Sequence, residues 1–212
     1  MEMALDFREV ISSVEGLEAV LGRPGPRVLA KVTNTIDGLS RNFIARSPFV
    51  LVASSDGEGN FDVSPKGDPP GFVRVLDGGR ALAIPERPGN RRADTFRNVL
   101  RNPQVGLIFL VPGKAETLRV SGTATIVRDR GLREEMALGG KVPELALVVS
   151  VREAFVHCTK CVVRSHLWQP EHWPSLDGVP SLAEMMVTHG KLADTVAEMQ
   201  AVIDNDASTR LY

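Results

Sequence analysis

Between Phe49 and Ile84 the chain turns back on itself twice in quick succession. Phe49-Val50-Leu51-Val52-Ala53-Ser54 is a short apolar, β-rich run, Asp56 to Asn60 is a Gly-containing turn, and Phe61-Asp62-Val63-Ser64 pairs back. That is a hairpin signature. A Pro/Gly-rich loop from Pro65 to Phe72 separates it from a second hairpin, Phe72 to Leu76 and Ala81 to Ile84 around Gly78-Gly79. Consecutive hairpins commit the chain to an antiparallel sheet. Gln104 to Val111, Leu118 to Arg128 and Leu145 to about His157 read as further strands, with a helix over 91–102 inserted mid-sheet and a short one near Asp129 to Leu138. Strands and helices do not alternate regularly, which excludes a doubly wound parallel sheet. The expected class is mainly β (α+β), a small six-stranded antiparallel barrel flanked by helices.

Both flanks read as helical. Phe7, Val10, Ile11, Val14, Leu17 and Leu21 recur at spacings of three and four over 6–21. After the break Gly22 to Pro26, a second helix is expected over 27–46, with Val28, Leu29, Val32, Ile36, Leu39 and Phe43 along one side and Gly38 inside it. Ser181 with Glu184 forms a capping box that opens a helix, and a last helix is expected from about Lys191 to Ile203. The expected division is a helical extension (1–46), a barrel domain (47–168) and a helical tail packed on it (169–212).

A formal net charge of −1 gives no global pull toward nucleic acid or anionic lipid, so an anion site has to be a local cluster of cations. No apolar run is long enough to span a bilayer, and Met1 to Asp6 carries acids where a secretory signal carries bases. A cytoplasmic protein with no membrane partner is expected.

The most informative stretch follows the second hairpin. The strand ends near Pro85, a Pro-Gly loop follows, and Asn90 suits a helix N-cap, with Phe96, Val99 and Leu100 on a buried side. Arg91 and Arg92 then fall in the first helical turn, where the helix dipole disfavours cations. A bound phosphate resolves the conflict; solvation, or pairing with Glu86 and Asp94, is the plainer alternative. Ser64 and Lys66, either side of Pro65, offer a hydroxyl and an ammonium at a strand end, and Arg119 begins a long strand facing ligand or solvent.

Together these stretches resemble the pyridoxamine 5′-phosphate oxidase-related family of flavin mononucleotide (FMN)-binding split barrels. The resemblance covers roughly Phe43 to Ile126: Asn90-Arg91-Arg92, Asn102-Pro103, the strand Val105 to Phe109, and Leu118-Arg119-Val120-Ser121-Gly122-Thr123-Ala124. Ser64 to Asp68, His157-Cys158-Thr159-Lys160 and Arg164-Ser165-His166-Leu167-Trp168 resemble a subfamily with a helical N-terminal extension. The resemblance implies a split β-barrel homodimer with FMN at the subunit interface and a small-molecule substrate. Arg91 and Arg92 should grip the phosphate with Ser64 and Lys66 helping; Ile84 and Pro85 should lie along the flavin and ribityl chain. Thr117 and Arg119 should reach FMN from the partner subunit, and Arg164 and Trp168 stand near the ring. The oxidase's Arg-x-x-Leu-Lys strand is replaced by Asp62-Val63-Ser64-Pro65-Lys66, and its C-terminal Arg-Leu-His segment is not evident, so pyridoxamine-phosphate oxidation itself is not expected. The expectation is an FMN-dependent oxidoreductase of unknown substrate with no evident catalytic acid or base. A non-catalytic flavin carrier or sensor, or a binder of deazaflavin or haem, is the alternative.

Cys158 and Cys161 do not make a disulfide framework. With His166 and His172 they have zinc-ligand chemistry, but the spacing is too short for a finger, and no βαβ frame suggests a thioredoxin site. Buried or half-buried structural thiols are expected, with no metal. The only tyrosine, Tyr212, ends the sequence, so no tyrosine general acid is expected in the barrel.

Overall fold

The computed structural model describes residues 7–212. The acidic stretch Met1 to Asp6, with the first residue of the helix expected over 6–21, lies outside them. Two compact units divide at 32/33.

In the first unit, helix α1 spans Val14–Leu21 and starts where Ser13 caps it, its hydroxyl accepting from the Gly16 N–H. Ser13 competes for the backbone and so shortens the helix expected from residue 6. Pro26–Leu29 forms one turn, α2. In the second unit, Thr33 makes a β-bridge to Ala154, and Asp37 caps a new helix, α3, over Gly38–Ile44. The single helix expected over 27–46 is therefore two. Gly38 starts the second instead of weakening the middle of one.

Seven strands follow where six were expected: β1 Phe49–Ser55, β2 Phe61–Gly67, β3 Arg74–Leu76, β4 Ala81–Pro85, β5 Gln104–Leu110, β6 Thr117–Val127 and β7 Ala146–His157. They form one antiparallel sheet in the order β2-β1-β5-β6-β7-β4-β3. Helix α4 (Asp94–Arg101) sits between β4 and β5, and α5 (Arg130–Glu135) between β6 and β7. Beyond the sheet lie α6 (Lys160–Arg164), α7 (Leu182–Gly190) and α8 (Val196–Thr209). The capping box of Ser181 and Glu184 opens α7 as expected, and a second, Thr195 with Glu198, moves the start of the last helix to Val196.

One sheet face carries the core. Val50, Val52, Leu82, Leu107, Phe109 and Val149 are at most 1% exposed, and each such apolar side chain contributes roughly 1.5–3 kcal/mol by leaving water. The two-residue period puts β1 residues 50, 52 and 54 inward and Phe49, Leu51 and Ala53 outward. β2 inverts the usual polarity. Its inward residues are Asp62, Ser64 and Lys66, whereas Phe61 and Val63 are exposed. The core therefore gives way to a polar wall at this edge.

The longest strand pair, β6 and β7, contains a bulge: Ser121 faces Glu153 and Gly122 faces Val151, leaving Arg152 supernumerary on β7. Here the backbones close to a distance that only glycine allows, since a Cβ on Gly122 would stand 2.0 Å from the Ser150 carbonyl oxygen. Gly122→Ala should lower stability by about 1–3 kcal/mol, the range for overpacking, read as a lower urea midpoint at unchanged m-value.

Candidate functional site

A pocket of about 940 Å³ opens between β2, the loop that follows β4, and the start of α4. Its size suits a small-molecule ligand. Ser64, Pro65, Lys66, Pro85, Asn90, Arg91 and Arg92 all line it, which gathers most of the sequence-derived candidates. Ile84 does not; it is 1% exposed within the core, one residue before Pro85. Thr117, Arg119, Arg164 and Trp168 also lie outside this pocket. Thr117 is buried at the start of β6 opposite His157. Arg119 points from the outer sheet face over the Phe155 ring, 5.5 Å from its centroid. Arg164 is exposed in α6, and the Trp168 indole N–H donates to the Lys114 carbonyl at 2.8 Å.

Two ion pairs join the walls. Lys66 Nζ on β2 meets Glu86 Oε2 at 2.9 Å, beyond the end of β4. Arg87 Nε meets Asp68 Oδ2 at 2.6 Å, with the Asp68 side chain 1% exposed, and Arg87 also donates to the Met136 carbonyl. Each pair ties the β2 side to the β4 side, two regions on opposite sides of the sheet order. Oδ1 of Asp68 is buried and accepts no hydrogen bond of ordinary geometry.

The helix start differs from the expected one. Asn90 does not cap α4: its Oδ1 accepts from the Arg92 N–H at 3.0 Å in a local turn, and the helix begins at Asp94. Arg91 (φ 62°) and Ala93 (φ 55°) are left-handed, so the chain cannot propagate a helix through them. Arg91 and Arg92 therefore precede α4, and no misplaced charge in a first turn needs relief. What replaces that argument is an uncapped helix. Ala93 has no side chain to accept from the first α4 N–H groups. Arg92 pairs with Asp94 at 2.7 Å, part of the plainer alternative, while Arg91 has no hydrogen bond or ion pair among the described residues. Free backbone donors and a free guanidinium at one helix start suit an anion.

Besides the Arg87–Asp68 pair, sequence reasoning missed two contributors. Asp62, on the inner face of β2, accepts from the Thr95 hydroxyl at 2.9 Å and so anchors α4 against the strand; the period-two alternation of β2 was the available signal. Tyr212, set aside as terminal, lines the pocket with its ring 5.9 Å from the Arg87 guanidinium. Lys141 donates to the Tyr212 main-chain oxygen. Burial, and then the neighbouring Asp68 charge, raises the Tyr212 phenol above its usual pKa, so it stands as a neutral donor near pH 7. It lies close to Asp68 without forming a hydrogen bond of ordinary geometry to Oδ1.

Cys158 and Cys161 are both exposed, which corrects the expectation of buried structural thiols. Among the described residues no three His, Cys, Asp or Glu side chains are grouped to hold a metal, and no helix is long and apolar enough to cross a membrane.

The profile of the pyridoxamine 5′-phosphate oxidase family matches residues 36–158, more than half of the sequence. The chain belongs to that family. No curated protein matches it. Solved structures similar to it include HupZ of Group A Streptococcus, at 18% identity over 57% of this chain and 93% of that one, TM-score 0.47. A putative pyridoxamine 5′-phosphate oxidase of Lactobacillus delbrueckii matches at 23% identity over 58% and 95%, TM-score 0.46. General Stress Protein 26 of Bacillus anthracis matches at 11% over 54% and 88%, TM-score 0.41.

Removing one member of the buried pair leaves an uncompensated charge. Arg87→Ala should cost roughly 3–5 kcal/mol, and adding Asp68→Asn should recover part of it. Denaturation of both variants measures the difference, and an equal loss in each would show that Arg87 acts through packing alone.

Proposed function

We propose that this protein binds FMN in the pocket between β2 and α4 and acts as a flavin-dependent oxidoreductase on a small molecule. The observation that carries the reading is the uncapped start of α4 beside the unpaired Arg91, in a chain of this family. Arg91, and Arg92 on exchange from Asp94, would hold the phosphate, with Ser64 and Lys66 supplying a hydroxyl and an ammonium on the facing strand. Pro65 and Pro85 offer apolar wall for a flat ring. When bound, FMN supplies the hydride chemistry; the chain positions it and excludes water. No side chain is assigned as a catalytic acid or base.

We read the sheet as a split barrel, on the ground that Lys66 and Glu86 bring β2 and β4 together. The barrel domain is placed at 47–168, with a helical extension before it and a helical tail after it. We propose a homodimer across the outer face of β2-β1-β5. Phe61 is 80% and Val63 60% exposed there, and register places Leu51 against Pro65 and Ile108 beside them. Arg119 lies on that side and Thr117 at the same strand start, where a second copy's pocket could use them. Arg164 and Trp168 are assigned the ring end of the partner's site on the same reasoning. A cytoplasmic location accords with this chemistry.

Four measurements test these readings. Mass spectrometry of small molecules released from the purified protein should find FMN; a colourless protein that FMN does not reconstitute sinks the reading, and haem or deazaflavin in its place redirects it. Arg91→Ala should weaken FMN binding by roughly 1.5–3 kcal/mol in a fluorescence titration, and more than Arg92→Ala does. Anaerobic NADH or NADPH should bleach the flavin, whereas a flavin that no reductant bleaches indicates a carrier. The double variant Phe61→Asp/Val63→Asp should sediment as a monomer if the outer face is the dimer interface.

A further inference from the structure

We infer that Cys158 and Cys161 form a reversible thiol–disulfide site at the junction of β7 and α6. Both thiols are exposed and therefore open to a soluble oxidant. Thr159, between them, is right-handed helical (φ −77°, ψ −14°), and Lys160 begins α6. Two consecutive residues in that conformation make one full turn. Such a turn brings the Cα atoms of its end residues within about 7 Å, and bridged cysteines have Cα atoms about 4.4–6.8 Å apart. Positions three apart on a helical turn also share a face. The carbonyl of Thr159 accepts from the Val163 N–H at 3.0 Å and that of Cys161 from the Ser165 N–H at 3.0 Å, so the turn is held before any bond forms.

The chemistry is thiol–disulfide exchange with a low-molecular-weight disulfide. One cysteine thiolate attacks the disulfide, forms a mixed disulfide and releases one thiol. The second cysteine attacks the protein sulfur of that bond, closes the Cys158–Cys161 disulfide and releases the second thiol. Two protein thiols lose two electrons, one external disulfide gains them, and the two protons leave on the released thiols. The second step is intramolecular across one turn, so the closed form outcompetes the mixed one. A bond closing so short a loop constrains little unfolded chain, which suits a switchable site better than a structural staple. In a reducing compartment such bonds are transient and sense redox state.

Closing the bond fixes the turn beside His157, which pairs with Thr117 at the start of β6. The same segment continues to Trp168, whose indole is held on the Lys114 carbonyl. Oxidation therefore stiffens the connection that frames the beginning of β6.

The full-length protein is equilibrated in buffers of oxidised and reduced glutathione, quenched in acid, alkylated and mapped by mass spectrometry. The expected product has lost two hydrogens, resists alkylation at Cys158 and Cys161, carries no glutathione and is restored by dithiothreitol. In Cys161→Ser the glutathione adduct should instead accumulate on Cys158, and the reverse in Cys158→Ser. Two independent adducts on the native protein, a disulfide between chains, or thiols that stay fully alkylatable would each overturn the inference. The readout is on sulfur alone and stands whether or not FMN binds.

Discussion

The Arg87–Asp68 ion pair is the constraint on which the pocket depends. Asp68 lies just past β2 and Arg87 just past β4, and these strands sit far apart in the order of the sheet. A carboxylate with 1% of its side chain exposed is tolerable only with a charged partner at contact distance. Arg87 meets that need and also reaches the Met136 carbonyl, so three segments converge on one guanidinium. The Lys66–Glu86 pair repeats the linkage nearer the sheet. With both in place, the inner face of β2 turns toward a cavity and its polar alternation becomes a lining.

That lining explains why the helix start was only half legible. Arg91 and Arg92 stood out because two cations precede an apolar-periodic segment, and both do line the pocket. The register of the helix was misjudged because Asn90 can satisfy a backbone donor in two ways: by capping a helix or by closing a local turn. Here it does the latter, and Ala93 takes the N-cap position in a left-handed conformation that a sequence gives no reason to expect. The two hairpins were legible from alternation and turn residues, because those rules act between near neighbours. Tyr212 and Asp68 were not, since their placement depends on contacts between segments distant in sequence.

The outer face tells a complementary story. Strand β1 alternates as a half-buried strand should, yet its outward residues are apolar, and β2 adds Phe61 and Val63 to them. A sheet with an apolar surface on both sides has more to cover than its own core. Arg119 lies over Phe155 on this face, so the cation occupies the border of the apolar area. Of the candidate residues outside the pocket, Arg119 is the one that lies on that side.

The bulge at Arg152 has a consequence for this arrangement. Up to Val151 the inward residues of β7 are odd-numbered, Leu147 and Val149 among them; beyond it Ala154, an even position, is the buried one. One supernumerary residue thus changes the parity of the strand. It directs Glu153 and Phe155 outward and leaves the small Ala154 inward, where Thr33 bridges to it. Arg152 works as a phase shifter. Straightened into regular pairing at unchanged length, the far half of β7 would instead turn inside out, setting a phenyl ring against the core and removing the platform on which Arg119 rests.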